Sequence, residues 1–297
     1  DIGGGESHEY ASGISAGEVI KNVHGRKSGA VAAFVNGEER DMSFELNENC
    51  KVEPILGDSE EGLYILRHSC AHLLAQAVTQ LYPDAKPTIG PPIEHGFYYD
   101  FAMHPIGDEE LRQIEKRMKE LVKQNIPIER EELDNESLRD IFSSNPFKLE
   151  IMDEKIGHDV GSSAYRQGDF IDLCKGPHVA LTSQLRWFKL TSTSQAYWRA
   201  DKERGSLVRI YGMCYPSKEG LKERERQIQE AARRDHKKIG KEMGLYMIND
   251  LIGKGLPVWL PYGEVLKSEI ENFAIETEET YGYDRVTTPV LGKKELF

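Results

Sequence analysis

Long apolar runs, cysteine and positive charge are all scarce in this sequence, and each scarcity closes off a class of protein. No apolar run approaches the roughly 20 residues that a membrane-spanning helix needs, so no membrane partner is expected. The opening Asp1-Ile-Gly-Gly-Gly5 has neither the basic start nor the apolar stretch of a signal peptide, and there is no initiator Met. The four cysteines, Cys50, Cys70, Cys174 and Cys214, show no paired spacing. That excludes a disulfide framework and fits a reducing cytoplasm. Lys and Arg number 38 against 50 Asp and Glu, a formal net charge of −12. Overall charge therefore argues against DNA or non-specific nucleic-acid binding, and any RNA contact must come from a local basic patch. What remains is ordinary for a globular chain: 297 residues, 39% hydrophobic and 30% charged, enough for two or three domains.

Local patterns divide the chain. Ser15-Ala-Gly-Glu18 has capping-box spacing and opens a short helix pattern with Val19, Ile20 and Val23. Ala30 to Val35, then Asn36-Gly37, then the alternation from Met42 to Leu46 predicts a hairpin, because both positions of its tight turn need φ > 0. Val52 to Leu56 adds a strand. Asp58-Ser-Glu-Glu61 caps an amphipathic helix of roughly twenty residues, with Leu63, Leu66, Leu73, Leu74, Ala77, Val78 and Leu81 at helical spacing. An aromatic, strand-like run ends near Phe101, and a charged helix runs from about Asp108 to Lys123. Ser163 to Tyr215 is rich in strand formers and suggests several antiparallel strands. Lys218 to Met243 predicts one long charged helix with its most basic stretch at Arg233-Arg-Asp-His-Lys-Lys238, either a solvated face or an RNA-facing turn. A helix pattern from Gly263 to Tyr281 and a strand from Tyr283 to Val290 follow, and the segment ending at Phe297 looks like a domain cut off early.

Two tight pairs carry the candidate chemistry. His68 and His72 stand at i and i+4, which puts both imidazoles on one helix face about 6 Å apart. Cys174 and His178 flank Gly176-Pro177, where a turn lets both converge from one loop. Two His with Cys and His is a tetrahedral zinc ligand set. The residues alone leave open a structural zinc, a catalytic zinc, a metal-free acid/base and hydrogen-bonding site, and Cys174 as a covalent nucleophile activated by a histidine.

Several motifs occur in a telling order. They are Arg67-His-Ser-Cys-Ala-His-Leu-Leu74, Ile89-Gly-Pro, Gly96-Phe-Tyr-Tyr-Asp100, Asp172-Leu-Cys-Lys-Gly-Pro-His178, Ala196-Tyr-Trp-Arg199, Arg209-Ile-Tyr-Gly212 and Arg233-Arg-Asp-His-Lys-Lys-Ile-Gly240. Together they resemble the N-terminal half of bacterial-type threonyl-tRNA synthetase over nearly the whole chain. The resemblance implies an α+β fold in four parts. Residues 1–59 would be a ubiquitin-like β-grasp (TGS) domain, although Gly3-Gly4-Gly5 stands where its first strand is expected. Residues 60–217 would be an α+β editing domain with an antiparallel sheet, 218–245 a long linker helix, and 246–297 the truncated start of a class II catalytic core including motif 1.

The resemblance also implies roles. The parent protein would join threonine to tRNA(Thr) as a homodimer, using ATP, Mg and zinc in a core beyond Phe297. The fragment would hydrolyse mischarged seryl-tRNA(Thr) with no cofactor of its own, and its oligomeric state is left open. His68, His72, Cys174 and His178 would line the pocket without metal, as in threonyl editing sites, although the alanyl-editing relatives hold zinc on the same ligand types. His68 would position the terminal ribose, Lys148 would activate water or stabilise negative charge, Asp172 would bind the substrate ammonium, and Tyr99 would wall the pocket or hydrogen-bond in it. Arg199, Arg209, Arg233, Arg234, Lys237 and Lys238 would contact the tRNA acceptor end. Two alternatives are a non-catalytic tRNA-binding module with structural zinc and a free-standing editing hydrolase.

Overall fold

The computed structural model describes residues 7–25, 28–155, 162–253 and 255–289. The chain falls into two compact units, Asp1–Glu223 and Arg224–Phe297. Both mix helices with antiparallel strands, so the α+β class holds. No described helix is long and apolar enough to cross a membrane. The triple glycine at positions 3 to 5 lies outside the described residues.

The first unit opens with β1 (Ile14–Ser15), α1 (Ala16–His24), β2 (Ala30–Val35), β3 (Glu38–Arg40), β4 (Glu45–Leu46) and β5 (Val52–Leu56). Ser15 closes the capping box: its hydroxyl accepts the Glu18 N–H at 3.2 Å, and Glu18 takes the Ser15 N–H in return. Asn36 and Gly37 hold φ of 53° and 84°, the left-handed pair that a two-residue hairpin turn requires. The returning strand differs from expectation. Such a tight turn pairs Val35 directly with Glu38, so β3 is Glu38–Arg40 rather than the alternation from Met42 to Leu46. Within that stretch only Glu45–Leu46 is strand, and it pairs with Ile14–Ser15. The carbonyls of Met42 and Phe44 instead accept the N–H groups of Gly17 and Ala16 at 2.8 and 2.9 Å, supplying donors at the start of α1 with the partners they lack inside a helix.

Next come α2 (Glu60–Leu81), β6 (Lys86–Pro87), β7 (Pro92–Ile93), β8 (Gly96–Ala102), α3 (Asp108–Gln124), β9 (Ile128–Leu133), α4 (Asn135–Ile141), α5 (Pro146–Lys155), β10 (Ser162–Gln167), β11 (Phe170–Leu173), β12 (Trp187–Tyr197) and β13 (Ser206–Tyr215). One antiparallel sheet runs β12-β13-β8-β6, with β7 also on β8, and a second runs β11-β10-β9. Ser59 caps α2 by accepting the Gly62 N–H at 3.0 Å. The helix is not amphipathic as its leucine spacing suggests: every residue from Ser69 to Val78 is buried. Leu66, Leu73, Leu74 and Ala77 pack with Phe97, Phe101, Met118, Leu121 and Ile210, while Val31, Ala32 and Ile55 of the N-terminal sheet join the same cluster. The short helices α4 and α5, unread in the sequence, form a satellite core with Leu138, Phe142, Met152 and Ala164.

The charged segment is two helices rather than one long linker helix, α6 (Lys218–Arg233) and α7 (His236–Glu242). Asp235 ends the run because its carboxylate accepts the Lys237 N–H at 2.8 Å and caps the second helix. In the second unit, β14 (Tyr246–Ile248) and β15 (Pro257–Trp259) form a hairpin ahead of α8 (Pro261–Thr280), whose first position is proline. Residues 283–289 form no strand, contrary to expectation, since no described segment pairs with them. Position 290 lies outside the described residues.

Gly62 provides a test of the packing around α2. Helix propensity favours Ala over Gly by about 1 kcal/mol. A Cβ on Gly62, however, would stand 1.8 Å from the Leu56 carbonyl oxygen. Overpacking of this kind costs about 1–3 kcal/mol, and the clash is with backbone that cannot swing away. Gly62→Ala should therefore lower the urea midpoint of the chain, and an unchanged or raised midpoint would show that β5 yields freely.

Candidate functional site

The site forms where α2 meets the end of β11. His68 and His72 project from one face of α2, with ring centroids 5.2 Å apart. After Asp172 and Leu173 the chain leaves β11, and the loop at 174–178 folds back onto the helix through a cis Gly176-Pro177 peptide. His178 then packs 4.5 Å from the His68 ring and 4.3 Å from the His72 ring. Cys174 Sγ lies 3.3 Å from His68 Nε2 and 3.2 Å from His178 Nε2, and it accepts the Gly176 N–H at 3.2 Å. One ligand atom from each of the four lies within 4.8 Å of the others, so this donor set fits a tetrahedral zinc.

Ser69 orients the third imidazole. Its oxygen accepts the Val179 N–H at 3.1 Å and stands 3.0 Å from His178 Nδ1. Beside the histidines lies a second group. Asp172 Oδ1 meets Lys148 Nζ at 2.5 Å and the Leu173 N–H at 2.8 Å, while Oδ2 accepts the Tyr99 hydroxyl at 2.5 Å. Lys148 also donates to the Tyr99 oxygen at 3.2 Å. His72 Nε2 is 3.8 Å from Oδ2, beyond a hydrogen bond, so Oδ2 keeps room for one more donor. His68, His72, Cys174, Asp172, Lys148 and Tyr99 line a cavity of about 450 Å³, together with Tyr64 and residues 88–92, while the buried His178 packs against the two helix histidines outside that lining. Gly90 has no room for a side chain there: a Cβ would stand 2.1 Å from the Tyr99 ring.

Burial sets the charge states. It pushes His68 down to about 3, helped by neighbouring His72, and His72 down to about 4 against the pull of Asp172. His178 falls well below the ordinary histidine value, again through burial and then its two histidine neighbours. Burial lifts the Cys174 thiol to about 12. At neutral pH the metal-free cluster is thus three neutral imidazoles and a thiol, which disfavours Cys174 as a thiolate nucleophile. Burial, the largest influence, acts to raise Asp172, but the Lys148 charge, the neighbouring His72 and the hydrogen bonds from Lys148 and Tyr99 together outweigh it and the carboxylate stays ionised.

The family described as "Threonyl and Alanyl tRNA synthetase second additional domain" matches residues 163–211, the stretch bearing Asp172, Cys174 and His178. Along 99% of its length the chain is 42% identical to the threonine-tRNA ligase of Staphylococcus carnosus (strain TM300). It is 43% identical to threonine-tRNA ligase 1 of Bacillus subtilis (strain 168), also over 99% of its length. This chain corresponds to the N-terminal part of threonyl-tRNA synthetases. It spans 45% of the first relative and 46% of the second, so less than half of either.

The seven pocket residues read from the sequence all come together, whereas the six basic residues are divided between the two units. Arg199 is held by Glu150 at 2.9 Å and Glu154 at 2.5 Å. Arg209 makes a two-pronged pair with Asp100 at 2.7 and 2.8 Å and lies 3.9 Å above the Tyr98 ring. Both guanidinium groups are ion-paired within the first unit, with the Arg199 side chain 37% exposed and that of Arg209 28%. Arg233, Arg234, Lys237 and Lys238 belong to the other unit and are exposed, with Glu230 and Glu242 as their acidic neighbours. Sequence reasoning missed Ser69, Tyr64, Tyr165 and Asp41. Ser69 lies inside the 68–72 motif and was open to notice. Asp41, 137 residues before His178, carries no local signal at all.

The buried histidines predict an acid-labile fold. Their folded values lie below the unfolded value near 6.5. Above pH 6.5 neither state binds protons at these rings, whereas between about 6.5 and 4 the unfolded chain takes up protons that the folded one refuses. Stability should therefore fall as pH drops through that window, by at most about 1.4 kcal/mol per pH unit for each ring. Urea titrations at pH 7.5, 6 and 5 measure this, and His68→Ala should flatten the profile. A pH-independent midpoint would show that the rings are protonated in the folded chain.

Proposed function

We propose that the pocket is a proofreading site that hydrolyses the ester of seryl-tRNA(Thr). The observation that carries this reading is the convergence, around one cavity, of the neutral imidazoles of His68 and His72, packed on His178, and the Cys174 thiol with a buried Lys148-Asp172-Tyr99 cluster. The physical need is clear: serine lacks one methyl of threonine, and a pocket separates such a pair by only about 1–3 kcal/mol. A second site that admits the smaller side chain and hydrolyses its ester supplies the remaining discrimination.

Ester hydrolysis needs a positioned water, an acceptor for its proton and a donor for the developing oxyanion. Asp172 offers the free acceptor position on Oδ2 to the substrate ammonium. Lys148, ion-paired and charged, is suited to stabilise the oxyanion rather than to take a proton from water. His68 and His72 are neutral and accept hydrogen bonds from a ribose hydroxyl or the attacking water. Their low basicity makes them orienting groups more than strong bases. Tyr99 walls the cavity and fixes Asp172. In this reading residues 1–59 are the TGS domain, 60–217 the editing domain, 218–245 the linker region and 246–297 the start of a class II core. The parent protein attaches threonine to tRNA(Thr).

The chain should release serine from seryl-tRNA(Thr) while largely sparing threonyl-tRNA(Thr), and the rate should survive exhaustive chelation. Equal rates on the two esters would refute proofreading. Activity lost on chelation and restored by zinc would place a catalytic metal on His68, His72, Cys174 and His178. A His68→Ala chain that unfolds as its bound zinc is lost would favour the non-catalytic binding module with structural zinc.

We also read Arg233, Arg234, Lys237 and Lys238 as contacts to the tRNA backbone. Replacing all four with Ala should weaken tRNA binding most at low salt. It should also reduce the slope of log affinity against log salt by roughly one for each phosphate no longer neutralised. Unchanged affinity would leave this stretch as a solvated face.

A further inference from the structure

The loop that carries Cys174 and His178 is held from two sides. On the α2 side, Ser69 engages His178 Nδ1 and the Val179 N–H. On the other side stands Asp41, from the segment between β3 and β4. Its Oδ1 accepts the His178 backbone N–H at 2.9 Å, and its Oδ2 accepts the Tyr165 hydroxyl at 2.6 Å. Tyr165 in turn is built against the loop. Its ring centroid lies 4.4 Å from that of His178, and its hydroxyl fills the place of a Gly176 side chain, 1.8 Å from where a Cβ would be. Gly176 has φ of 71°, a left-handed conformation that favours glycine, so the loop is shaped to pass closely over this tyrosine. Asp41, Tyr165 and His178 are all absent from the cavity lining, which Cys174 at the start of the loop shares with His68 and His72.

We propose that Asp41 is a positioning residue, whose carboxylate clamps the 174–178 loop and thereby sets His178 against the two histidines of α2. The N-terminal sheet region is then a working part of the pocket and not an independent appendage. The start of the loop is tied to β10, where the Cys174 N–H donates to the Ser163 carbonyl at 3.2 Å and the Ser163 hydroxyl donates to the Cys174 carbonyl at 2.6 Å, and Arg130 donates to the Lys175 carbonyl at 3.2 Å, so Asp41 and Ser69 act on its far end. Here the backbone N–H of its most buried histidine is satisfied by a residue 137 positions upstream. Asp41 supplies two acceptors at one point, one for the loop backbone and one for the tyrosine beneath it. A carboxylate with two oxygens meets that geometry, and alanine meets neither half of it.

The activity arm of the test rests on the proofreading reading, whereas the structural arm does not. Hydrogen-deuterium exchange of peptides covering 174–179 is measured in the whole chain, beside kcat and KM for seryl-tRNA(Thr) deacylation. Asp41→Ala should speed exchange at 174–179 while leaving α2 and β8 protected. It should lower kcat by on the order of 10- to 100-fold, because displacement of a pocket group by about 1 Å has effects of that size, with KM little changed. Asp41→Asn should restore both readouts to within a few-fold: its amide oxygen accepts the His178 N–H, and its amide nitrogen donates to the Tyr165 oxygen. Tyr165→Phe, which keeps the ring and removes one of the two bonds, should loosen the loop to an intermediate degree, and it decides the matter if Asp41→Ala fails to fold. Unchanged exchange at 174–179 in these variants overturns the proposal. So does faster exchange spread equally over α2 and β8, which would mark general loss of fold. If the unaltered chain releases no serine, the proofreading reading fails, and the exchange arm still decides the role of Asp41.

Discussion

The middle of α2, from Ser69 to Val78, is buried on every side, and much of the first unit is arranged so that the polar groups along one of its faces find partners. Ser69, His72 and Gln76 recur at i, i+3 and i+7, which places them along one face. All three are buried. Each reaches toward the β9–β11 side of the molecule. Ser69 meets His178 and Val179, His72 lies beside Asp172, and the Gln76 amide donates to the Gln167 carbonyl at 2.7 Å. The opposite faces are apolar and take up the N-terminal sheet, β8, α3 and β13. An unsatisfied polar group at such depth costs about 1–3 kcal/mol. The network that stitches the second sheet to the helix is therefore also the network that assembles the pocket.

Within that network, charge is confined to one place. Three imidazoles and the Cys174 thiol are kept neutral by burial, while Lys148 and Asp172 are buried as an ion pair with Tyr99 bonded to both. Separating that pair would leave one charge uncompensated, a loss of about 3–5 kcal/mol in buried settings. Structure and chemistry are thus hard to divide at Lys148 and Asp172, since the groups suited to hold substrate also hold the floor of the cavity together. The histidines carry less of this double duty, because a neutral ring facing a cavity leaves no charge behind when it is removed.

Much of the scaffold was legible because it depends on neighbours in sequence. The capping box at Ser15, the left-handed turn at Asn36-Gly37, the cap at Ser59 and the charged helix ending near Lys123 each follow from residues within four positions of one another. Failures came where the deciding partner was distant or where a cap competed with helix propagation. Periodicity read α2 as amphipathic because it counts leucines and cannot see that the alanines, serine and cysteine between them also face protein. The basic run at Arg233 read as continuous helix, while Asp235 turned its side chain to the backbone and began a new one. The alternation from Met42 to Leu46 read as a strand but supplies carbonyls to the start of α1.

The pocket divides along the same line. By itself the sequence determined which groups take part, because an i, i+4 histidine pair must share a helix face and a Gly-Pro turn can bring Cys174 and His178 together. The order of the surrounding motifs pointed to the synthetase relatives. Only the tertiary structure decided what those groups are to one another. It packed the rings within about 5 Å and drove them neutral by taking away water. It also set Lys148 on Asp172, paired Arg199 and Arg209 with carboxylates, and brought Asp41 to the His178 backbone. Each of these depends on burial and on contacts between distant segments, which exist only once the sheets have closed on α2.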